Sequence, residues 1–338
     1  MKARSTREVA SAVRREVDVR SRALATERGL RRAARTGTRL LLGPFLAEIG
    51  YELEYWIPFL RRELRRHRIP REQATVMTRG GAALWYRDFA ANALDVLDAL
   101  SPAEYLPRLE ERRRQAGDAK QLRIEPFDRE LVAVARERLG PLTVVHPGFM
   151  FTRLRGLWFH GRSLDWLWPQ VEFRPLAVPP EPVPGLPERY VAVKAYFNEC
   201  LPGTGEIRDF LRRTIELLAA RLDVVLLSTG LLVDDHEEWA TAHPRVHPIE
   251  HLLRPADNLA FQTRVIAASQ GLVATYGGFS YLGPFLGIPT LTFYEIEQTV
   301  PVHLEVLRAA LPGADYEQVR AGDDAAVEAF ASRLDRGG

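Results

Sequence analysis

Tyr276-Gly277-Gly278-Phe279-Ser280 is the stretch whose residue types most directly suggest chemistry. It follows the apolar run Leu272 to Thr275, which suits a buried strand, and precedes a short helix from Tyr281 to Leu286 that Gly287 ends. Pro289 to Tyr294 then reads as the next strand. Two glycines let a backbone approach a ligand, and the start of a helix offers unpaired N–H groups and a partial positive charge. A diphosphate fits such a place. An ordinary strand–helix–strand crossover, whose glycines serve only the turn, fits the same residues.

Other side chains extend that chemistry. Lys194 ends a predicted strand and suits a phosphate, or is a strand-end surface lysine. Arg264, on the helix before the glycine turn, suits a phosphate too, or pairs with an acid such as Asp257. Glu295, just past the last strand, suits ribose hydroxyls or is a solvated carboxylate. Glu48 lies in the loop after the first strand, between Pro44 and Gly50, where a carboxylate could take a proton from an acceptor hydroxyl. It would equally favour a helix dipole. Glu52 and Glu54 read as structural. Between residues 149 and 168, aromatic side chains alternate with Arg, His and Asp. Trp158, Arg162 and Trp166 are candidates for binding an acceptor sugar or acidic group, with packing as the alternative, and His160 is the second candidate base.

Several chemistries are excluded by what is missing. The chain has no G-x-G-x-x-G, no phosphate-binding G-x-x-x-x-G-K-[ST] and no G-x-S-x-G. His243, His247 and His251 have helical spacing, but Pro244 and Pro248 interrupt it, so no zinc site is expected. There is no D-x-D to hold a metal–diphosphate complex, and no metal or resident cofactor is expected. Cys200 is the single cysteine, which excludes an internal disulfide framework. Residues 1–39 carry a formal +8, leaving −6 on the rest of a chain whose net charge is +2. An acidic body argues against a nucleic-acid partner.

These residues need elements to hold them. With 338 residues there is room for two domains. The expected organisation is a basic helical leader at 1–37, an α/β domain at 38–174, a proline-rich linker at 175–189, a second α/β domain at 190–320, and a helix or tail at 321–338. The leader reads as a solvated helix, or as one making weak, salt-sensitive contact with an anionic membrane surface. In the first domain, strands are expected at 39–45, 74–78 and 142–146, with helices at 51–64, 88–100 and 128–139. In the second, strands are expected from Tyr190, from Asp223 and at 245–247, with helices at 207–221, 234–242 and 259–269. Closing helices are expected over 307–335, packing in part toward the first domain. Strand–helix alternation predicts Rossmann-like parallel sheets with ligand loops at one edge. The absence of a signal-peptide core or a long apolar run makes a cytoplasmic location the default expectation.

Two such halves joined by a proline-rich linker, with Gly43-Pro44-Phe45 through Pro58 early and Thr275-Tyr276-Gly277-Gly278-Phe279-Ser280 through Pro289 late, resemble the GT-B class of glycosyltransferases over about residues 38–320. The resemblance implies two Rossmann-like domains facing a cleft, a nucleotide-sugar in the second and an acceptor in the first, and catalysis without a metal. It places the donor phosphates on Gly277, Gly278, Phe279 and Ser280, and an inverting base at Glu48. Heptosyltransferase-like members carry an acidic residue and a His about the late glycine, where this chain has Tyr276 and Tyr281. The function implied is transfer of a sugar from a nucleotide-sugar to a glycan, lipid-linked or small-molecule hydroxyl. Two alternatives stand beside it: pyruvyl transfer to polysaccharide, and a non-catalytic protein binding a glycan or partner through the Trp158–Trp168 region.

Overall fold

The structure, a computed structural model, describes residues 6–116, 121–159, 161–228, 237–238, 241–296 and 301–336. The chain forms two compact units. The first comprises Met1–Glu48, Tyr55–Arg79 and Tyr86–Glu172; the second comprises Ile49–Glu54, Gly80–Trp85 and Phe173–Gly338.

In chain order the first half gives α1 (Thr6–Thr36), β1 (Leu40–Leu42), α2 (Ile49–Tyr51), α3 (Ile57–His67), β2 (Ala74–Thr78), β3 (Asn92–Asp95), α4 (Pro102–Ala116), α5 (Pro126–Leu139), β4 (Thr143–Val145), α6 (Pro147–Phe159) and α7 (Leu164–Leu167). The four strands are all parallel, in the order β3-β2-β1-β4. The helix expected over 88–100 is instead the edge strand β3 followed by a single turn. Its backbone is satisfied by pairing with β2, which a lone helix over Asn92-Ala93-Leu94-Asp95 would not match. The helix expected from Tyr51 starts at Ile49 and widens into a π-turn over Glu52–Trp56. Pro58 has no N–H for the carbonyl one turn back, so the register opens by one residue.

The leader is a helix, and its last turns belong to the first unit's core. Leu30 and Ala33 are buried, and α1 packs on α6 and β4. Gln73 Nε2 donates to the carbonyls of Ala33 and Thr38, fixing the entry to β1. Glu27, Glu63 and His67 converge beneath the helix. Arg31 and Arg66 stand on the same Glu27 oxygen at 3.2 Å, and Arg66 also reaches Glu63. The two guanidinium groups supply the positive charge that this cluster needs.

The C-terminal ends of β1 and β4 are filled by a buried polar network. Gln121 Oε1 accepts from the amides of Leu46 and Ala47, at 2.6 and 3.1 Å, and its Nε2 donates to Pro44 O and Asp128 Oδ1. Asp128 takes Arg112 Nε at 3.0 Å and faces His146 at 3.5 Å.

The second half continues with β5 (Tyr190–Lys194), β6 (Tyr196–Phe197), α8 (Gly205–Ala219), β7 (Asp223–Leu226), β8 (Glu237–Glu238), β9 (Val246–Pro248), α9 (Asn258–Ala267), β10 (Gly271–Thr275), α10 (Leu282–Leu286), β11 (Thr290–Tyr294), α11 (Pro301–Ala310), β12 (Tyr316–Arg320) and α12 (Asp324–Arg336). Six strands form one parallel sheet in the order β12-β11-β10-β5-β7-β9. The closing segment is therefore not all helical, because β12 adds an edge strand to β11. Most of the helix expected over 234–242 lies outside the described residues, and Glu237–Glu238 pairs antiparallel with Tyr196–Phe197. On one face of the sheet, Phe210, Leu211, Ile215 and Leu218 of α8 share a core with Val327, Phe330 and Leu334 of α12. Each such side chain contributes on the order of 2 kcal/mol by leaving water. The proline-rich stretch lies on this unit, where Leu176 N donates to Phe285 O at 2.7 Å.

The Asp128 network gives a stability prediction. Burial works against the carboxylate's charge, but His146 and Arg112 outweigh it and hold Asp128 below the ordinary value. Asp128→Asn leaves Arg112 buried without its anion and should cost about 3 kcal/mol near neutral pH. The depressed value stabilises the fold above the unfolded-state value, about 4, and that stability is lost as pH falls through the folded-state value. Urea melts of both proteins near neutrality and at about pH 3 should therefore show the gap shrinking in acid.

Candidate functional site

In the six-stranded sheet the chain runs outward from β5 to β7 and β9, then returns to the other side of β5 as β10, β11 and β12. The direction of travel reverses between β5 and β10, and open α/β sheets bind ligands beyond the C-terminal ends of the strands at such a point. Lys194 is the last residue of β5, and Tyr276-Gly277-Gly278 leaves the end of β10. Thr275 ties the two exits together. Its Oγ1 donates to Tyr196 O at 2.7 Å and accepts from Tyr196 N at 3.0 Å. Asn198 fixes the next loop, accepting from Cys200 N and Leu201 N and donating to Tyr276 O.

Lys194 is 8% exposed, its ammonium donates to Leu227 O at 2.9 Å, and it lies 5.5 Å from the centre of the Phe279 ring. Gly277 and Gly278 are half-buried, and the described residues leave the amides of Gly277, Gly278 and Phe279 without a hydrogen-bond acceptor. Three adjacent N–H groups beside an ammonium make an anion-favouring edge.

The glycines themselves are accounted for by packing. A Cβ at Gly278 would overlap the backbone of Gly50, and one at Gly277, whose φ is +155°, would meet the Tyr196 hydroxyl at 2.5 Å. Gly50 has the reciprocal need, with Gly278 Cα at 2.9 Å from its own ideal Cβ. A larger side chain at 278 would therefore displace Ile49–Gly50 whatever the turn binds. The Gly80 carbonyl likewise accepts from Leu259 N and Ala260 N, closing the start of α9.

Other predicted residues fall in different places. Ser280 Oγ donates to Gly277 O at 2.8 Å and pairs with the Tyr316 hydroxyl at 3.0 Å, so it braces the turn from inside. Tyr276 is buried against Tyr281, hydroxyl to hydroxyl at 3.0 Å, and burial pushes its phenol up to about 12. Glu295 pairs with Arg320 at 2.8 Å at the end of β11. Arg264 is exposed in the last turn of α9, the turn that leads into the start of β10. Chain direction thus sets it toward the opposite edge of the sheet from Gly277.

In the first unit, Glu48 is exposed just beyond Ala47, whose amide is held by Gln121 and whose carbonyl accepts from Arg79 at 2.7 Å. A carboxylate is thereby fixed at the C-terminal edge of that unit's sheet. Trp158 packs edge-on against Tyr55 at 4.9 Å and near Phe151. Arg162 is exposed. Trp166 lines a pocket of about 490 Å³ with Phe59, Arg62, Arg66, Arg153 and Asp165. The structure therefore gathers only part of the predicted aromatic set. His160 lies outside the described residues.

One pair escaped the sequence reading. Glu54, 1% exposed, accepts from or donates to His303 through Oε2 and Nδ1 at 3.1 Å, and its Oε1 has no hydrogen-bond partner. Burial dominates its titration and lifts it to about 7, against the opposing pull of His303. His303, from the start of α11, has a side chain 14% exposed, and Tyr51 packs edge-on against its ring at 5.3 Å. The signal available was two carboxylates, Glu52 and Glu54, in an otherwise apolar run, Tyr51 to Leu60. Nothing local tied it to a histidine 249 positions away.

No protein-family model and no curated protein matches the chain. Solved glycosyltransferase structures are similar to it at low sequence identity. The E. coli heptosyltransferase WaaC with ADP is 16% identical, covers 88% of this chain and 99% of its own, and superposes with a TM-score of 0.45. The E. coli ADP-heptose lipopolysaccharide heptosyltransferase II is 12% identical over 88% of this chain and 99% of its own, at 0.47. A glycosyl transferase family 9 protein from Veillonella parvula is 11% identical over 89% and 98%, also at 0.47. These likenesses, all at low sequence identity, are to two heptosyltransferases and a family 9 glycosyl transferase.

Proposed function

We propose that the protein transfers a sugar from a nucleotide-sugar to a hydroxyl acceptor, a glycan, a lipid-linked saccharide or a small molecule. The observation that carries this reading is the point of reversal between β5 and β10, where Lys194 and the unpaired amides of Gly277, Gly278 and Phe279 converge. In this reading those groups receive the departing diphosphate, whose charge grows as the sugar–oxygen bond breaks. Fixed donors aimed at developing charge are worth more than mobile water, because they need no reorganisation as the bond breaks.

Glu48 takes the acceptor proton. The preceding residue, Ala47, is held at its amide by Gln121 and at its carbonyl by Arg79, which gives an exposed carboxylate a defined position. The acceptor oxygen bonds to the anomeric carbon, the bond from that carbon to the diphosphate breaks, and the hydroxyl proton passes to Glu48.

Calorimetry against the adenosine, guanosine, uridine, cytidine and thymidine diphosphates tests the donor side. One of them should bind, and Lys194→Met, which keeps the buried stem, should weaken it by about tenfold or more through loss of a charge-assisted contact. If none binds at millimolar concentration, the reading is wrong. With the matching nucleotide-sugar, Glu48→Gln should lower kcat by about 100-fold or more and leave diphosphate affinity within twofold. An unchanged kcat would remove Glu48 from the chemistry.

A further inference from the structure

Glu54 and His303 have no part in the transfer as described, yet they lie at the same edge of the second unit as the unpaired amides. The connection is short. Gly278 meets Gly50 backbone to backbone, the next residue, Tyr51, packs on the His303 ring, and one turn further along the same segment Glu54 reaches His303. The charge of Glu54 is also felt at the hydroxyls of Tyr276, Tyr281 and Tyr316. A carboxylate with an unpartnered oxygen is sealed from water, and the imidazole on its other oxygen is the only member of the pair with a solvent-facing edge.

We propose that Glu54 and His303 are part of the donor site and bind the nucleotide diphosphate by taking up a proton as it arrives. The proposal rests on the donor reading above and adds the ligand's charge requirement to it. An isolated buried carboxylate is costly to keep ionised, and a second anion nearby makes it costlier. A proton on the pair removes that conflict and leaves the imidazole, the pair's solvent-facing edge, toward the phosphates. The proton comes from solvent and is held on the hydrogen bond between Glu54 Oε2 and His303 Nδ1. The other groups around it suit this role. Tyr276, Tyr281 and Tyr316 are held protonated by burial. Cys200 is likewise raised by burial. Arg308, on the same helix as His303, is a fixed cation that acts on Tyr276. Glu54 is thus the group here whose charge changes near neutrality, being raised to about 7.

The test is calorimetry of the tight-binding nucleoside diphosphate near pH 7.5 in two buffers of different ionisation heat. Wild type should take up about half a proton more than Glu54→Gln or His303→Gln, which report the titration of the ligand's own phosphate. Affinity of the wild type should also weaken by about threefold to tenfold between about pH 6.5 and about pH 8 relative to the variants. A merely structural pair would alter affinity equally at every pH and leave proton uptake unchanged. Binding with the same uptake in all three proteins overturns this inference and leaves the donor reading standing. If no nucleoside diphosphate binds the wild type, the donor reading falls, and this one with it. If Glu54→Gln does not fold, His303→Gln decides alone.

Discussion

The close approach of Gly50 and Gly278, main chain against main chain, is the constraint on which the second unit's ligand edge depends. Neither position has room for a side chain. That contact seats a segment from early in the chain against the exit of β10. Once it is seated, Tyr51 and Glu54 are carried to the start of α11. The same pattern recurs at Gly80, whose carbonyl closes the first turn of α9, and at Trp85, whose indole donates to Thr263. The second sheet is therefore finished by two short pieces of sequence that precede it by more than a hundred residues.

The parallel organisation was legible in the sequence because buried parallel strands are written as short apolar runs between helical periodicities. Ala74–Thr78 and Gly271–Thr275 are nearly as expected for that reason. Segments with mixed character were misread. Asn92-Ala93-Leu94-Asp95 is an edge strand with two exposed residues at its start, and Tyr316–Arg320 alternates too weakly to show in a polar tail. Both are decided by the neighbouring strand and not by their own composition.

The site was legible in part. Lys194 and the glycine turn stand out in the sequence because each sits where a strand ends, and strand ends are visible. The purpose of the glycines was not, since close packing against a remote backbone and close approach to a ligand call for the same residue. For Arg264 the sequence shows its place before the glycine turn but not that its helix ends where β10 begins. Glu54 was set aside as structural, because its partner His303 and the burial that perturbs it exist only in the folded chain.

The leader's attachment has a mechanical corollary. One amide group, on Gln73, holds the carbonyls at the end of α1 and just before β1 together. A side chain rooted at the start of β2 thereby braces the junction between the helix and β1. A pull or a load on the leader would be delivered at that joint, to the strand whose far end leads into Glu48.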